Sequence, residues 1–260
     1  MAGSTSPRSI LAFGHRDNQR VVLKIVNEAT GEFRAGEVLA AFGGSGVVRV
    51  LEAADGITLM EQLDPATPLS TVCRRGDDEE ATRILANVMR AMSPTASPPG
   101  LPSARDWSVA FDRHIASGSE TIPRDLVAHA RRVYLELCES QRNPRLLHGD
   151  LHHDNVLFDS RRGWLAVDPK GVIGELEFEI GAALRNPLAL PQMFTSAPVI
   201  VARVQWFSKA LHLDRSRVVG WAFAQAVLAL LWMVEDGERV MPDHPWLTLA
   251  RALEQESGHL

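Results

Sequence analysis

Short apolar runs separated by Gly or Asp dominate the first sixty residues. Ile10 to Phe13, Val21 to Val26, Val47 to Leu51 and Ile57 to Met60 have the length and β-branched content of strands. Glu32 to Phe42 favours a short helix that stops at Gly43 and Gly44, so the order is strand, strand, helix, strand, strand. Near residue 77 the period changes. Asp77 and Asp78 can cap a helix whose first turn holds Glu79 and Glu80, and Ile84, Leu85, Val88, Met89 and Met92 recur along one face. Four prolines between Ser93 and Ser103 make the next stretch an irregular connection. A second amphipathic helix starts at Pro123, with Leu126, Val127, Ala130, Val133, Tyr134, Leu137 and Cys138 inward. Leu146-Leu147, Val156 to Phe158 and Trp164 to Val167 read as short strands, the last two joined as a hairpin over Asp159 to Gly163. Beyond residue 175 the pattern is almost wholly helical. The expected class is α+β, with a small β-rich lobe over residues 1–60, a hinge over 61–66 and a helical lobe over 67–260.

Composition narrows this picture. The 260 residues suit one large domain or two modest ones, and 45% hydrophobic with 23% charged side chains is the balance of a globular protein. The 32 acidic against 27 basic residues, a formal charge of -5, argue against a polyanion such as nucleic acid as partner. Cys73 and Cys138 stand in no CxxC pair and read as reduced core thiols. The first residues lack the apolar stretch of a secretory signal, so a cytoplasmic protein is expected. Val218 to Val234 is apolar apart from Gln225 but shorter than the ~20 residues of a spanning helix. It is expected as a buried helix, with no membrane role.

The polar cluster from His148 to Asn155, followed by an apolar strand ending at Asp168, carries the chemistry. Phosphoryl transfer needs a carboxylate to orient or deprotonate the attacking hydroxyl, and oxygen ligands to hold Mg²⁺ against the phosphates. Asp150 fits the first role; Asn155 and Asp168 fit the second. Asp150 and Asn155 have the D-x-x-x-x-N spacing of a kinase catalytic loop. His148 is expected to brace the loop, His152 to stabilise it, and His153 and Asp154 to be solvated. Lys24, on the apolar strand from Val21, is placed as the lysine that meets the nucleotide α- and β-phosphates. Glu37 is chosen over Glu32 as its partner, because it precedes the apolar run Val38 to Phe42. Met60 to Asp64 reads as the hinge, with backbone groups of Glu61 and Leu63 holding adenine.

These residues resemble the aminoglycoside phosphotransferases, and within them the streptomycin and hydroxyurea phosphotransferase group. Leu147 to Leu157 (LHGDLHHDNVL), Gly163 to Glu175 (GWLAVDPKGVIGE) and Gly43 to Leu51 (GGSGVVRVL) carry the likeness, which runs from about residue 20 to residue 190 with the hinge-like Leu59 to Leu69. The resemblance implies a protein-kinase-like bilobal fold with ATP and Mg²⁺ between the lobes, and transfer of the γ-phosphate to a hydroxyl of an antibiotic-like small molecule. It makes Asp150 the base and Asn155 and Asp168 the Mg²⁺ ligands. Glu175, Glu177, Glu179, Glu235 and Asp236 are its candidates for receiving a cationic substrate. Choline, homoserine or an amino sugar remain open as substrates. The chain departs from the family near its start: two strands and a phosphate-covering loop are implied before Lys24, yet Met1 to Pro7 has one glycine and no apolar run. Either a rudimentary phosphate-covering loop or a missing first strand is expected there. That departure motivates a second reading, a degenerate kinase that binds nucleotide or regulates. A third, a dinuclear metal hydrolase built on His148, Asp150, His152, His153 and Asp154, lacks further ligands from distant loops.

Overall fold

The computed structural model describes residues 3–5, 9–28, 31–94 and 96–257. The chain forms two compact units, one of Met1–Leu101 with Arg145–Val172, the other of Pro102–Pro144 with Ile173–Leu260.

The first unit begins with β1 (Gly3–Thr5), β2 (Ser9–Arg16) and β3 (Gln19–Val26), followed by α1 (Ala35–Ala41), β4 (Val50–Ala54) and β5 (Ile57–Glu61). They make an antiparallel five-stranded sheet in the order β1-β2-β3-β5-β4. Two strands therefore do precede the lysine strand, the first only three residues long; Ser6 to Arg8, which join them, lie outside the described residues. On β3 the period of two puts Val22 and Lys24 on the buried face, opposite Met60 and Thr58 of β5. Helix α1 lies against that sheet at Gly36, where a β-carbon would come within 2.6 Å of Thr58 Oγ1.

Two boundaries differ from the sequence expectation. The helix expected from Glu32 starts at Ala35, since residues 31–34 form a turn. The strand expected at Val47 to Leu51 falls at Val50–Ala54, because Val47 and Val48 are drawn to Ala166: the Val48 N–H donates to the Ala166 carbonyl at 3.0 Å. The turn at Gly46 directs this. Its φ of +71° and the 2.9 Å approach of a would-be β-carbon to the Met92 amide leave room for glycine alone.

β6 (Pro65–Pro68) leads to α2 (Ser70–Arg74) and α3 (Asp78–Ala91), which Asp77 caps by accepting from the Glu80 N–H at 3.3 Å. After β7 (Arg145–Leu147), the strands β8 (Val156–Asp159) and β9 (Gly163–Ala166) form the expected hairpin. β6 adds to its free edge, giving the order β6-β8-β9, and α3 packs on β9. Val47 and Val48 on Ala166, and Lys24 on Asp168, tie this part to the N-terminal segment. The compact first unit thus extends past the lobe boundary expected at 61–66.

The second unit comprises α4 (Ala104–Trp107), α5 (Val109–Ser117), α6 (Arg124–Glu139), α7 (Leu176–Leu184), α8 (Pro191–Phe194), α9 (Ala197–Leu211), α10 (Arg215–Glu235) and α11 (Pro245–Ser257). α10 is its axis, packed by α5, α6, α7, α9 and α11. It is long and apolar enough to cross a membrane, but 78% of its most apolar window is buried within the protein. A helix hydrophobic all round is what a central position requires. Tyr134, Phe178 and Trp221 meet edge to face at its heart, with centroids 5.0 to 6.4 Å apart.

Candidate active site

Buried Leu146 and Leu147 of β7 deliver the chain to His148, and β8 receives it after Asn155. Backbone and side chains cross-brace the loop between. His148 is fully buried; its Nε2 donates to the Val167 carbonyl at 2.8 Å and its Nδ1 accepts from the Asp150 N–H at 3.2 Å. Both contacts suit the neutral ring, and burial pushes its pKa down to about 4. The His148 carbonyl accepts the N–H groups of Lys170 and Gly171, both at 2.9 Å. Asn155 Nδ2 donates to the Asp150 carbonyl at 2.9 Å, and the Val167 N–H to the Asn155 carbonyl at 2.9 Å. His148 is thus a brace that hangs Asp150 between two strands. His152 also stabilises the loop, its Nδ1 accepting from the Asp154 N–H at 3.2 Å.

His153 departs from expectation. It is buried rather than solvated, and one of its ring nitrogens lies within 4.8 Å of ligand atoms of Cys73 and Asp78. The loop turns it inward onto α2 and α3, a placement that depends on elements eighty residues away. Among the described residues this trio, and not the five-residue cluster of the hydrolase reading, has metal-ligand proximity.

Asp168 follows β9 with a φ of +59°, a left-handed conformation that a non-glycine residue adopts at some cost. That turn brings its Oδ1 to 2.7 Å from Lys24 Nζ. Lys24 also meets Glu32 Oε2 at 2.5 Å. Burial works to lower the Lys24 pKa, but the carboxylates of Asp168 and Glu32 outweigh it and raise the value. The glutamate partner is therefore Glu32 and not Glu37, which pairs with Arg34 at 2.5 Å on its own helical turn. The reason is helical phase: Gly36 faces the sheet, so its neighbour Glu37 cannot. Gly171 closes the loop at φ +75°, so near α1 that a β-carbon would stand 2.4 Å from Val38 Cγ2. Lys170, which sequence reasoning did not single out although it stands in the Asp168-Pro-Lys-Gly motif, places Nζ 3.2 Å from Asp150 Oδ2.

Asn155, with its amide nitrogen engaged, presents Oδ1, and Asp168 presents its carboxylate. An amide oxygen and a carboxylate are the hard donors that Mg²⁺ selects, so these residues fit that ion.

In the segment expected as the hinge, Glu61 is 4% exposed and its N–H donates to the Arg49 carbonyl at 3.0 Å. Its carboxylate accepts from the Arg49 N–H at 2.8 Å and from the Arg162 guanidinium, which also donates to the Gly44 carbonyl at 2.5 Å. The amide of Glu61 is thus committed inside the sheet, which corrects half of the adenine expectation. Its carbonyl and the backbone of Leu63 remain the candidates. Arg162, which ties Glu61 and Gly44 to the β8-β9 hairpin, carried no sequence signal, since an arginine in a turn is ordinary.

The candidate substrate residues fare unevenly. Glu175 is fully buried, accepting from Arg217 Nε at 2.8 Å and Nη2 at 2.5 Å, from Trp221 Nε1 at 2.5 Å and from the Arg142 N–H at 2.9 Å. It is a structural keystone and not a substrate carboxylate. Glu179 is 1% exposed, again inside the second unit. Glu235 grips Arg113 Nε at 2.8 Å and Nη2 at 3.0 Å; Glu177 accepts from the Asp214 N–H at 3.4 Å. Asp236, exposed after α10, keeps its side chain near solvent.

A model of the family described as aminoglycoside/hydroxyurea antibiotic resistance kinase matches residues 3–237. Streptomycin 6-kinase of Streptomyces griseus is 31% identical over 228 residues, which is 85% of this chain and 73% of the relative. Hydroxyurea phosphotransferase of Kitasatospora aureofaciens is 31% identical over 246 residues, 90% of this chain and 68% of the relative. Among solved structures, the apo form of a thermostable mutant of aminoglycoside phosphotransferase APH(4)-Ia superposes with a TM-score of 0.64 at 16% identity, covering 98% of this chain and 94% of its own. A choline/ethanolamine kinase family protein from Mesorhizobium loti superposes with a TM-score of 0.65 at 16% identity, covering 99% and 89%. The fold is accordingly protein-kinase-like.

Proposed function

The chain belongs to the aminoglycoside/hydroxyurea antibiotic resistance kinases, and from that premise we propose that it transfers the γ-phosphate of ATP, with Mg²⁺, to a hydroxyl of streptomycin, a related aminoglycoside or hydroxyurea. The observation that carries the reading is the joint placement of Lys24 on Asp168 and of Asp150 beside Asn155 in one compact unit. A degenerate, non-catalytic kinase is not favoured, because the matching family model and the relatives similar over most of the chain are named as kinases and a phosphotransferase.

Asp150 accepts the proton of the attacking hydroxyl, whose oxygen forms a bond to the γ-phosphorus while the bond from that phosphorus to the bridging oxygen breaks and ADP leaves. His148 keeps Asp150 in position through the loop backbone. Lys24, oriented by Glu32, contacts the α- and β-phosphates. Mg²⁺, held by Asn155 and Asp168, supplies neutralisation of phosphate charge when bound. Positioning is most of the catalysis in this reaction, which is why so many of these contacts fix the backbone.

ATP turnover by the full chain, measured against streptomycin, other aminoglycosides and hydroxyurea, tests the proposal. Phosphorylation of one of them is expected, with near-complete loss in Asp150→Ala. Turnover unchanged in that variant would refute the role of Asp150; absence of nucleotide binding would sink the kinase reading.

A further inference from the structure

We propose that Lys170 is a phosphate-contacting residue: its ammonium, beside Asp150, meets the γ-phosphoryl group of the bound nucleotide. The inference rests on the kinase reading above and adds a second lysine to it. Lys170 is fixed at its root and partly exposed at its tip. Its N–H is tied to the His148 carbonyl at 2.9 Å, and its methylenes run under Gly31, where a β-carbon would stand 3.5 Å from Cγ and 3.6 Å from Cδ and Cε. The tip reaches Asp150 Oδ2 at 3.2 Å, and the two side chains are 27% and 20% exposed. An ion pair of this exposure is accessible to a ligand.

The geometry of the reaction locates the phosphoryl group relative to that pair. A hydroxyl giving its proton to Asp150 lies about 2.6–3.2 Å from the carboxylate. In an attack-ready arrangement its oxygen stands about 3–3.5 Å from phosphorus. A cation already touching Asp150 is therefore within a short swing of the transferring group, and a lysine stem has the rotatable bonds to make it. Charge gives the reason to move. Lys24 is held by two carboxylates, at 2.7 and 2.5 Å, and in the kinase reading serves the α- and β-phosphates. The transferring group spreads its negative charge over three oxygens, which calls for a cation of its own. A lysine that stayed on Asp150 would compete with the substrate hydroxyl for the same carboxylate. Passing to the phosphoryl oxygens, Lys170 releases the base and neutralises the charge at once.

Calorimetric titration of the full chain with ADP and with AMP-PNP, each with Mg²⁺, reads this directly, because the two nucleotides differ in the γ-phosphoryl group. In Lys170→Met, ADP affinity is expected to stay within about twofold of the parent while AMP-PNP binds about tenfold or more weakly, the scale of one charge-assisted contact. Lys170→Arg is expected to recover part of that loss. Equal weakening of both nucleotides, or no weakening of AMP-PNP, overturns the inference with the kinase reading intact. A parent chain that binds neither nucleotide overturns both.

Discussion

Replacing Glu175 by alanine should destabilise the protein severely without acting through substrate binding. The carboxylate is fully buried and accepts from Arg217, Trp221 and the Arg142 backbone. Its removal leaves the buried Arg217 guanidinium without its carboxylate and the Trp221 N–H without its acceptor. Breaking a buried pair on one side costs about 3–5 kcal/mol, a large part of the roughly 5–15 kcal/mol that holds a folded domain together. At about 2–4 °C per kcal/mol for a chain of this size, the melting temperature should fall by on the order of 6–20 °C. Because the cost is that of a stranded charge, Glu175→Leu combined with Arg217→Met should be markedly less destabilised than the sum of the single changes. Thermal and urea denaturation of the parent, Glu175→Leu, Arg217→Met and the double variant gives the cycle, with Glu175→Ala measured beside them, and KM for the phosphorylated substrate, taken below the transition, separates stability from recognition. A melting temperature within about 2 °C of the parent, or strict additivity, would refute the buried-pair reasoning. A raised KM at unchanged stability would restore Glu175 as a substrate residue.

Two further outcomes follow from the site. Glu32→Gln should reduce kcat/KM for ATP by about 10- to 100-fold through loss of a charged hydrogen bond to Lys24, while Glu37→Gln stays within about twofold; steady-state kinetics showing the reverse order would return the partnership to Glu37. His148 has its folded pKa depressed from 6.5 to about 4. Between those values the unfolded chain binds the extra proton, so its contribution is full above pH 6.5 and declines as pH falls towards 4, by about 3 kcal/mol at most. Urea denaturation across that range should show a shallower decline for His148→Gln than for the parent, and parallel curves would contradict a buried neutral imidazole.

The readable parts of this protein were those whose meaning is local. The spacing of Asp150 and Asn155, the cap at Asp77, the helix after Pro123 and the hairpin over Asp159 to Gly163 depend on residues within a few positions of one another, and the structure has each of them. Val47 and Val48 misled because an apolar β-branched pair satisfies a strand in any sheet, and the turn at Gly46 gave them to Ala166. His153 misled for a similar reason: a histidine in a polar run gives no sign of which way the loop will turn it.

The sequence by itself determined the reaction class, the loop from His148 to Asn155 and the order of most elements, because hydrogen-bonding periodicity and motif spacing act along the chain. Tertiary structure alone decided that Glu32 and not Glu37 meets Lys24, that Glu175 is a buried anchor, and that Lys170 stands on Asp150. Those outcomes depend on which face of a helix or loop is turned towards a distant element. A shift of one residue reverses that facing without altering composition or spacing, so only packing can choose between the alternatives.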